Sequence, residues 1–227
     1  MLIVEFCGTP GCGKTTLCDE VEVELRALGY RVKNYQKPKQ RVTFLERAKG
    51  VWIRCCYRYL CANKKIKAAL KTIRPYMKED SHFYWVDRIL ELYYVIMQGE
   101  KVGEQIALLD EGCIQFITSV FHEKKVPPGI QPLVDALADE FYKNHTIIYN
   151  CQIDLEENYR RLLKRGKSND RFLKEDKLES FQLLSQKREN IESVLKMLES
   201  KAPSLIGQRF GFPSKDIVVK MIKERLV

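Results

Sequence analysis

Residues 2–7, LIVEFC, form an almost unbroken apolar run, and from Lys14 to Leu28 apolar side chains return at positions 17, 21, 25 and 28. The first pattern predicts a short buried strand, the second an amphipathic helix stopped by Gly29. RVKNYQK (31–37) alternates as a second strand would and ends at Pro38. From 44 to 61 the apolar positions share one helical face and Arg47, Arg54 and Arg58 line another; a second basic helix is expected to end near Pro75. Ser81 is placed to cap a helix running to Gln98 and closed by Gly99.

QIALLD (105–110) and TIIYNC (146–151) read as two more strands, with a helix over about 132–143 between them. Helices follow at about 155–166 and 174–200, a last one begins at Ser214, and the faintest pattern is a fifth strand around 204–208. Strands that alternate with helices predict a three-layer α/β fold, a five-stranded parallel sheet covered by helices on both faces. No repeat or linker interrupts the pattern, so residues 1–227 are expected to be a single domain.

Composition changes this picture little, but charge adds to it. The 227 residues are 45% hydrophobic and 30% charged, ordinary for a globular chain. No run nears 18 apolar residues and no export leader precedes the first strand, so neither a membrane partner nor secretion is expected and a cytoplasmic location is. The net charge is +9, and its excess is local: Arg31 to Lys78 holds fifteen Lys and Arg against one acid, Glu46, while the remainder carries 24 basic and 29 acidic residues. Such a segment is either a solvated helical surface or a field for anionic ligands, nucleic acid included. The eight cysteines read as reduced thiols. Cys55, Cys56 and Cys61 cluster without CxxC spacing or a nearby histidine, and Cys55 and Cys56 fit the apolar helical face better than a zinc site. Cys12 is expected to be accessible to oxidants.

The chemistry lies between the first strand and the first helix. CGTPGCGKTTLC (7–18) contains Gly8, Gly13, Lys14 and Thr15 in the spacing GxxxxGK[ST]. Glycines there let successive backbone N–H groups turn towards phosphate oxygens beside the positive end of a helix. Gly8, Gly11, Cys12, Gly13, Lys14, Thr15 and Thr16 are the predicted nucleotide-binding residues, with Lys14 reaching the β- and γ-phosphates and Thr15 on Mg²⁺. In IALLDEG (106–112) the apolar run delivers Asp110 to a strand end, where a second Mg²⁺ ligand is needed, and Glu111 follows as a group able to polarise a water or hydroxyl. NYRRLLKRGKSNDRF (158–172) puts Arg160, Arg161, Lys164 and Arg165 around an apolar stripe and then breaks at Gly166. An arginine-dense loop of this kind suits phosphoryl transfer, which needs its charge neutralised and water excluded. A solvated basic helix has the same composition.

VEFCGTPGCGKTTL with LRALGYRV resembles the opening of the thymidylate kinases, members of the P-loop nucleoside monophosphate kinases. IDLEENYRRLLKRGKSNDRF is similar to their LID, ending in Asp170 and Arg171, and YWVDRILE (84–91) resembles the segment whose arginine, here Arg88, meets the acceptor's phosphate. Three departures stand out: Thr9-Pro10-Gly11 in the loop, Gln36-Lys37-Pro38 where the family has Arg-Glu-Pro, and Asp110-Glu111-Gly112 where it has Asp-Arg-Tyr. The donor side is kept and the acceptor side rewritten, so thymidine monophosphate is not the expected acceptor.

The resemblance implies an ATP-dependent phosphotransferase with Mg²⁺ and a small anionic acceptor, most simply a nucleotide. Lys14, Asp110, Glu111, Arg161, Arg165 and Arg171 are then the catalytic candidates, Thr15 and Asp110 the metal ligands, and Lys37, Arg74 and Arg88 the acceptor-binding candidates. The acceptor would lie under a helical segment at about 39–98, and the LID would span about 160–173. A nucleic-acid-dependent ATPase or polynucleotide kinase using 31–78, and a non-catalytic nucleotide-binding regulator, are the two other readings. The oligomeric state is open, a homodimer included.

Overall fold

The computed structural model describes residues 1–35, 64–76, 88–92, 96, 99–122, 124–142, 145–166 and 171–226. The predicted 44–61 helix with its three arginines, Cys55, Cys56 and Cys61, the Ser81 cap, Lys37 and the Gln36–Pro38 turn lie outside the described residues, as does Asp170.

Five strands are all parallel in the order β2-β3-β1-β4-β5: β1 Leu2–Gly8, β2 Val32–Asn34, β3 Ile106–Leu109, β4 Thr146–Cys151 and β5 Ile206–Gln208. The three central strands are buried along their whole length, which is why they read as continuous apolar runs. Pairing puts Leu2 opposite Ile106 on one side of β1 and Gly8 opposite Cys151 on the other. The side-chain period of two then sorts β1 into two cores. Leu2, Val4 and Phe6 pack with Leu17, Val21 and Leu25 of α1 (Lys14–Ala27) and Val218 and Ile222 of the helix near the C-terminus. Ile3 and Cys7 pack on the opposite face against Ile114, Ile117, Leu133 and Leu195.

That opposite face is covered by α2 (Lys64–Leu70), α3 (Cys113–Val120), α4 (Gln131–Leu137) and the long α6 (Lys177–Lys201), with α5 (Leu155–Lys164) laid against α6 and α7 (Lys215–Leu226) closing the α1 side. The expected three-layer α/β fold with a five-stranded parallel sheet is therefore what the chain forms. Among the described residues no helix is long and apolar enough to cross a membrane.

Three local expectations need correcting. Cys113–Val120 forms a helix that the apolar pattern did not announce. Seven of its eight residues are buried, so no polar face marks its period. Gly99 does not close its helix: residues 99–101 are helical and the turn falls at Gly103, whose φ of 79° suits glycine. Gly99 is instead a packing position, since a Cβ there would stand 2.3 Å from the Tyr35 hydroxyl. The basic helix before Pro75 ends earlier, at Leu70, and continues as a 3₁₀ turn that contains Pro75.

One buried carboxylate organises the layer beneath the sheet. Glu5 points from β1 into the α3 side with no exposure, accepting from the Ile114 backbone N–H at 2.9 Å and the Tyr142 hydroxyl at 2.6 Å. It thus sits at the positive end of α3. Burial nevertheless outweighs these hydrogen bonds and pushes its carboxyl up to about 7. Gly112 is the residue that makes room: a Cβ there would lie 2.1 Å from the Glu5 carboxyl carbon. The glycine of Asp110-Glu111-Gly112 thus has a packing cause.

Candidate active site

Because β1 lies between β3 and β4, the loop after β1 and the acid after β3 emerge side by side at the carboxyl ends of adjacent strands. That is where open parallel sheets place ligands. Gly8, at the exit of β1, cannot carry a side chain: its Cβ would stand 2.4 Å from the Cys151 carbonyl oxygen on the neighbouring strand. Gly13 caps α1 at a φ of 105° and turns the chain into the helix. Between them Lys14 folds back, buried, and its Nζ donates to the carbonyls of Gly8 and Thr9, both at 3.1 Å.

Thr15 Oγ1 donates to Asp110 Oδ2 at 2.8 Å. Burial lifts the Asp110 carboxyl above its ordinary value; the Thr15 hydrogen bond opposes this, the Glu111 charge adds to it, and Lys14 opposes it again. A hydroxyl and a carboxylate that close form a hard oxygen pair, which fits a Mg²⁺ that keeps its other positions for water and phosphate. Thr16 is exposed on the first turn of α1. Cys12, expected to be accessible, is fully buried, with Sγ 3.7 Å from Lys14 Nζ, so packing shields it from oxidants.

Helix α5 is docked on the loop. Asp154 caps it, accepting from the Glu156 and Glu157 N–H groups. Asn158 is fully buried: its Oδ1 accepts from the Thr9 hydroxyl and its Nδ2 donates to the Pro10 carbonyl. One turn on, Arg161 is held by Glu157 at 2.7 Å and donates to the Cys12 carbonyl at 3.3 Å. On the outer lip, a guanidinium nitrogen of Arg161 and a ring carbon of Phe212 each lie 3.3 Å from where a Cβ on Gly13 would be. Arg161 and Phe212 therefore flank the glycine that opens α1.

The remaining candidates divide. Arg171 donates to Ser119 Oγ on α3 at 3.2 Å, and the Arg88 guanidinium lies 5.5 Å over the Phe116 ring of the same helix while pairing with Glu91 at 2.9 Å. Both cations thus border α3, the element that begins two residues after Glu111. Arg88 Nε and Gln115 Oε1 are buried without hydrogen-bond partners among the described residues, the kind of atoms a ligand satisfies. Arg165 is exposed at the C-cap of α5, and Arg74 is exposed on the 3₁₀ turn after α2.

Asn158, Phe212 and Ser119 stand at the candidate site without belonging to any of its motifs. Asn158 left a trace, as the one polar residue on the Leu155–Tyr159–Leu162 stripe. Phe212 left another, in the exposed pair Phe210 and Phe212 ahead of the last helix.

No family model matches the chain, and no curated protein matches it. Among solved structures, that of deoxyadenosine kinase from M. mycoides with bound dATP is similar: 15% identical, with 100% of this chain and 99% of that one covered, at a TM-score of 0.48.

Proposed function

We propose that the chain is a P-loop phosphotransferase of the nucleoside monophosphate kinase type, moving the γ-phosphoryl of ATP to a small anionic acceptor, a nucleotide before other classes. The observation that carries this reading is the Thr15–Asp110 pair at 2.8 Å beside a buried Lys14, at the ends of adjacent parallel strands. A glycine-rich turn of purely structural use needs no acid from the next strand.

Lys14 now spends its protons on the loop's own carbonyls, and phosphate oxygens would replace those two partners. Thr15 and Asp110 would hold Mg²⁺, which when bound neutralises charge across the phosphates. Arg161 is already at the loop and Arg171 is hydrogen-bonded to Ser119 of α3, so the proposed LID supplies cations from two directions. Arg88 and the unpaired Gln115 oxygen offer contacts to an acceptor lying along α3. Glu111, next to Asp110 in sequence, would orient the attacking oxygen of the acceptor. Positioning and charge neutralisation supply most of the acceleration, and no covalent nucleophile is required.

The test is ADP release against nucleoside monophosphates, their deoxy forms, nucleosides and a short 5′-hydroxyl oligonucleotide, with Lys14→Ala as the blank. Strong stimulation by one monophosphate supports the proposal. Stimulation by the oligonucleotide alone transfers the role to the basic 31–78 segment, and activity retained in Lys14→Ala overturns the site.

A further inference from the structure

Lys187, in the middle of α6, is completely buried, and among the described residues no carboxylate pairs with it. Its Nζ instead meets three neutral oxygens on the last turns of α3: Thr118 Oγ1 at 2.6 Å, Ser119 Oγ at 3.2 Å and the Gln115 carbonyl at 3.4 Å. The protons of both hydroxyls are already spent. Thr118 donates to the Ile114 carbonyl at 2.8 Å and Ser119 to the Gln115 carbonyl at 2.7 Å. All three oxygens can therefore only accept from Lys187, which is a socket for three N–H donors. An ammonium has three and a neutral amine two. The same Ser119 oxygen also accepts from Arg171 at 3.2 Å, so one hydroxyl carries two cations.

The socket fits a charged lysine, while its surroundings oppose the charge. Burial is the largest influence against it, followed by the positive charges of Arg171 and Lys14; Cys7 of β1 and Glu111 after β3 act the other way, and the partners on α3 are neutral. An isolated buried charge is costly unless paired, and Lys187, Arg171 and Lys14 come from three segments near enough to oppose one another's charge.

Resting on the phosphotransferase reading, we infer that Lys187 is a positioning residue of the site: it fixes Ser119, through Ser119 presents Arg171 to the transferring phosphoryl, and takes the ligand's phosphate charge as its counter-ion. Anion binding and protonation of Lys187 are then coupled. Filling the loop favours the ammonium that the socket is shaped for, and a proton is drawn from solvent with the ligand.

Calorimetric titration with MgATP and with inorganic tripolyphosphate, each in two buffers of different ionisation enthalpy, reads affinity and proton uptake together. The wild-type protein is expected to take up protons with either ligand. Lys187→Met, which fills the socket with an apolar chain of similar length, should bind about tenfold more weakly and take up none through this group. Ser119→Ala keeps Lys187 and serves equally if Lys187→Met does not fold. It should take up fewer protons, since two acceptors remain for the ammonium, and turn over about tenfold more slowly, because Arg171 loses its hydrogen bond to Ser119. Binding by the wild type without proton uptake, unchanged affinity and uptake in Lys187→Met, or wild-type turnover in Ser119→Ala overturns the role of Lys187 and leaves the phosphate loop standing. Failure of the wild type to bind either triphosphate overturns the phosphotransferase reading, and this inference with it.

Discussion

The Thr15 hydroxyl donates to Asp110 Oδ2 across 2.8 Å, joining the first turn of α1 to the end of β3. Both residues leave their elements at the same edge because β1 and β3 are parallel neighbours in register, with Glu5 opposite Leu109. A Mg²⁺ entering with ATP would replace this internal hydrogen bond by two metal–oxygen contacts. Asp110→Asn keeps the shape and an acceptor for Thr15 but removes the charge. It should lower Mg²⁺-dependent turnover by about 100-fold, as the loss of a preorganised electrostatic contact does elsewhere. Measured over a range of Mg²⁺ concentrations, turnover that stays at the wild-type level would take Asp110 out of the metal site.

Asn158 tests whether α5 is fastened to the loop or merely rests on it. Its amide satisfies the Thr9 hydroxyl and the Pro10 carbonyl, all in a buried setting. Asn158→Leu leaves those polar groups unpaired and should cost about 1–3 kcal/mol in urea unfolding. It should also raise the half-saturating ATP concentration, since the loop backbone proposed to cradle phosphate loses its brace. A variant with wild-type stability and affinity would show the contact to be incidental.

How far the chain could be read in advance follows from burial. β1, the loop and α1 were legible because a fully buried strand is continuously apolar and α1 keeps a 3.6-residue stripe of Leu17, Val21 and Leu25. α3 was not, because burial on nearly all sides erased its polar face. Lys14, Thr15 and Asp110 announced themselves through spacing; Lys187 could not, since a lysine in a long charged helix reads as solvated and only the packing of α6 on α3 buries it.

Glu5 makes stability depend on pH with a sign opposite to that of most carboxylates. Its folded value of about 7 lies above the ordinary 4.5, so the folded chain holds a proton that the unfolded chain has released. This contribution is fully present below the ordinary value and is lost as pH rises towards and through 7, by roughly 3 kcal/mol in total. Glu5→Gln removes the titration, so the variant's stability relative to the wild type should rise between pH 5 and pH 8, as the wild type alone loses stability. A difference independent of pH would show that Glu5 is ionised throughout.

The same carboxylate predicts the fate of Gly112. A methyl group there meets Glu5 atoms at 2.1–2.4 Å, closer than any real contact, and the obstacle is a buried, hydrogen-bonded group rather than a loose surface chain. Gly112→Ala should destabilise the protein by about 1–3 kcal/mol, the range for overpacking. Combining it with Glu5→Ala should recover part of that loss, because the clash then has no partner. Strictly additive losses in the double variant would place the strain in the backbone instead.

A substitution at Phe212 tests recognition of the base apart from recognition of the phosphates. Its ring stands with Arg161 beside Gly13, at the lip of the loop, and it keeps 39% of its surface exposed. An aromatic face that open beside a guanidinium is suited to stack a flat heterocycle, and base–aromatic stacking is worth about 1–3 kcal/mol. Phe212→Ala should therefore weaken ATP binding by about 5- to 100-fold while leaving inorganic tripolyphosphate, which has no base, unaffected. Calorimetry with the two ligands on one protein makes the comparison direct. If tripolyphosphate weakens equally, the ring is supporting the backbone of Gly13, and the base is held elsewhere; if neither weakens, the ring takes no part in binding the donor.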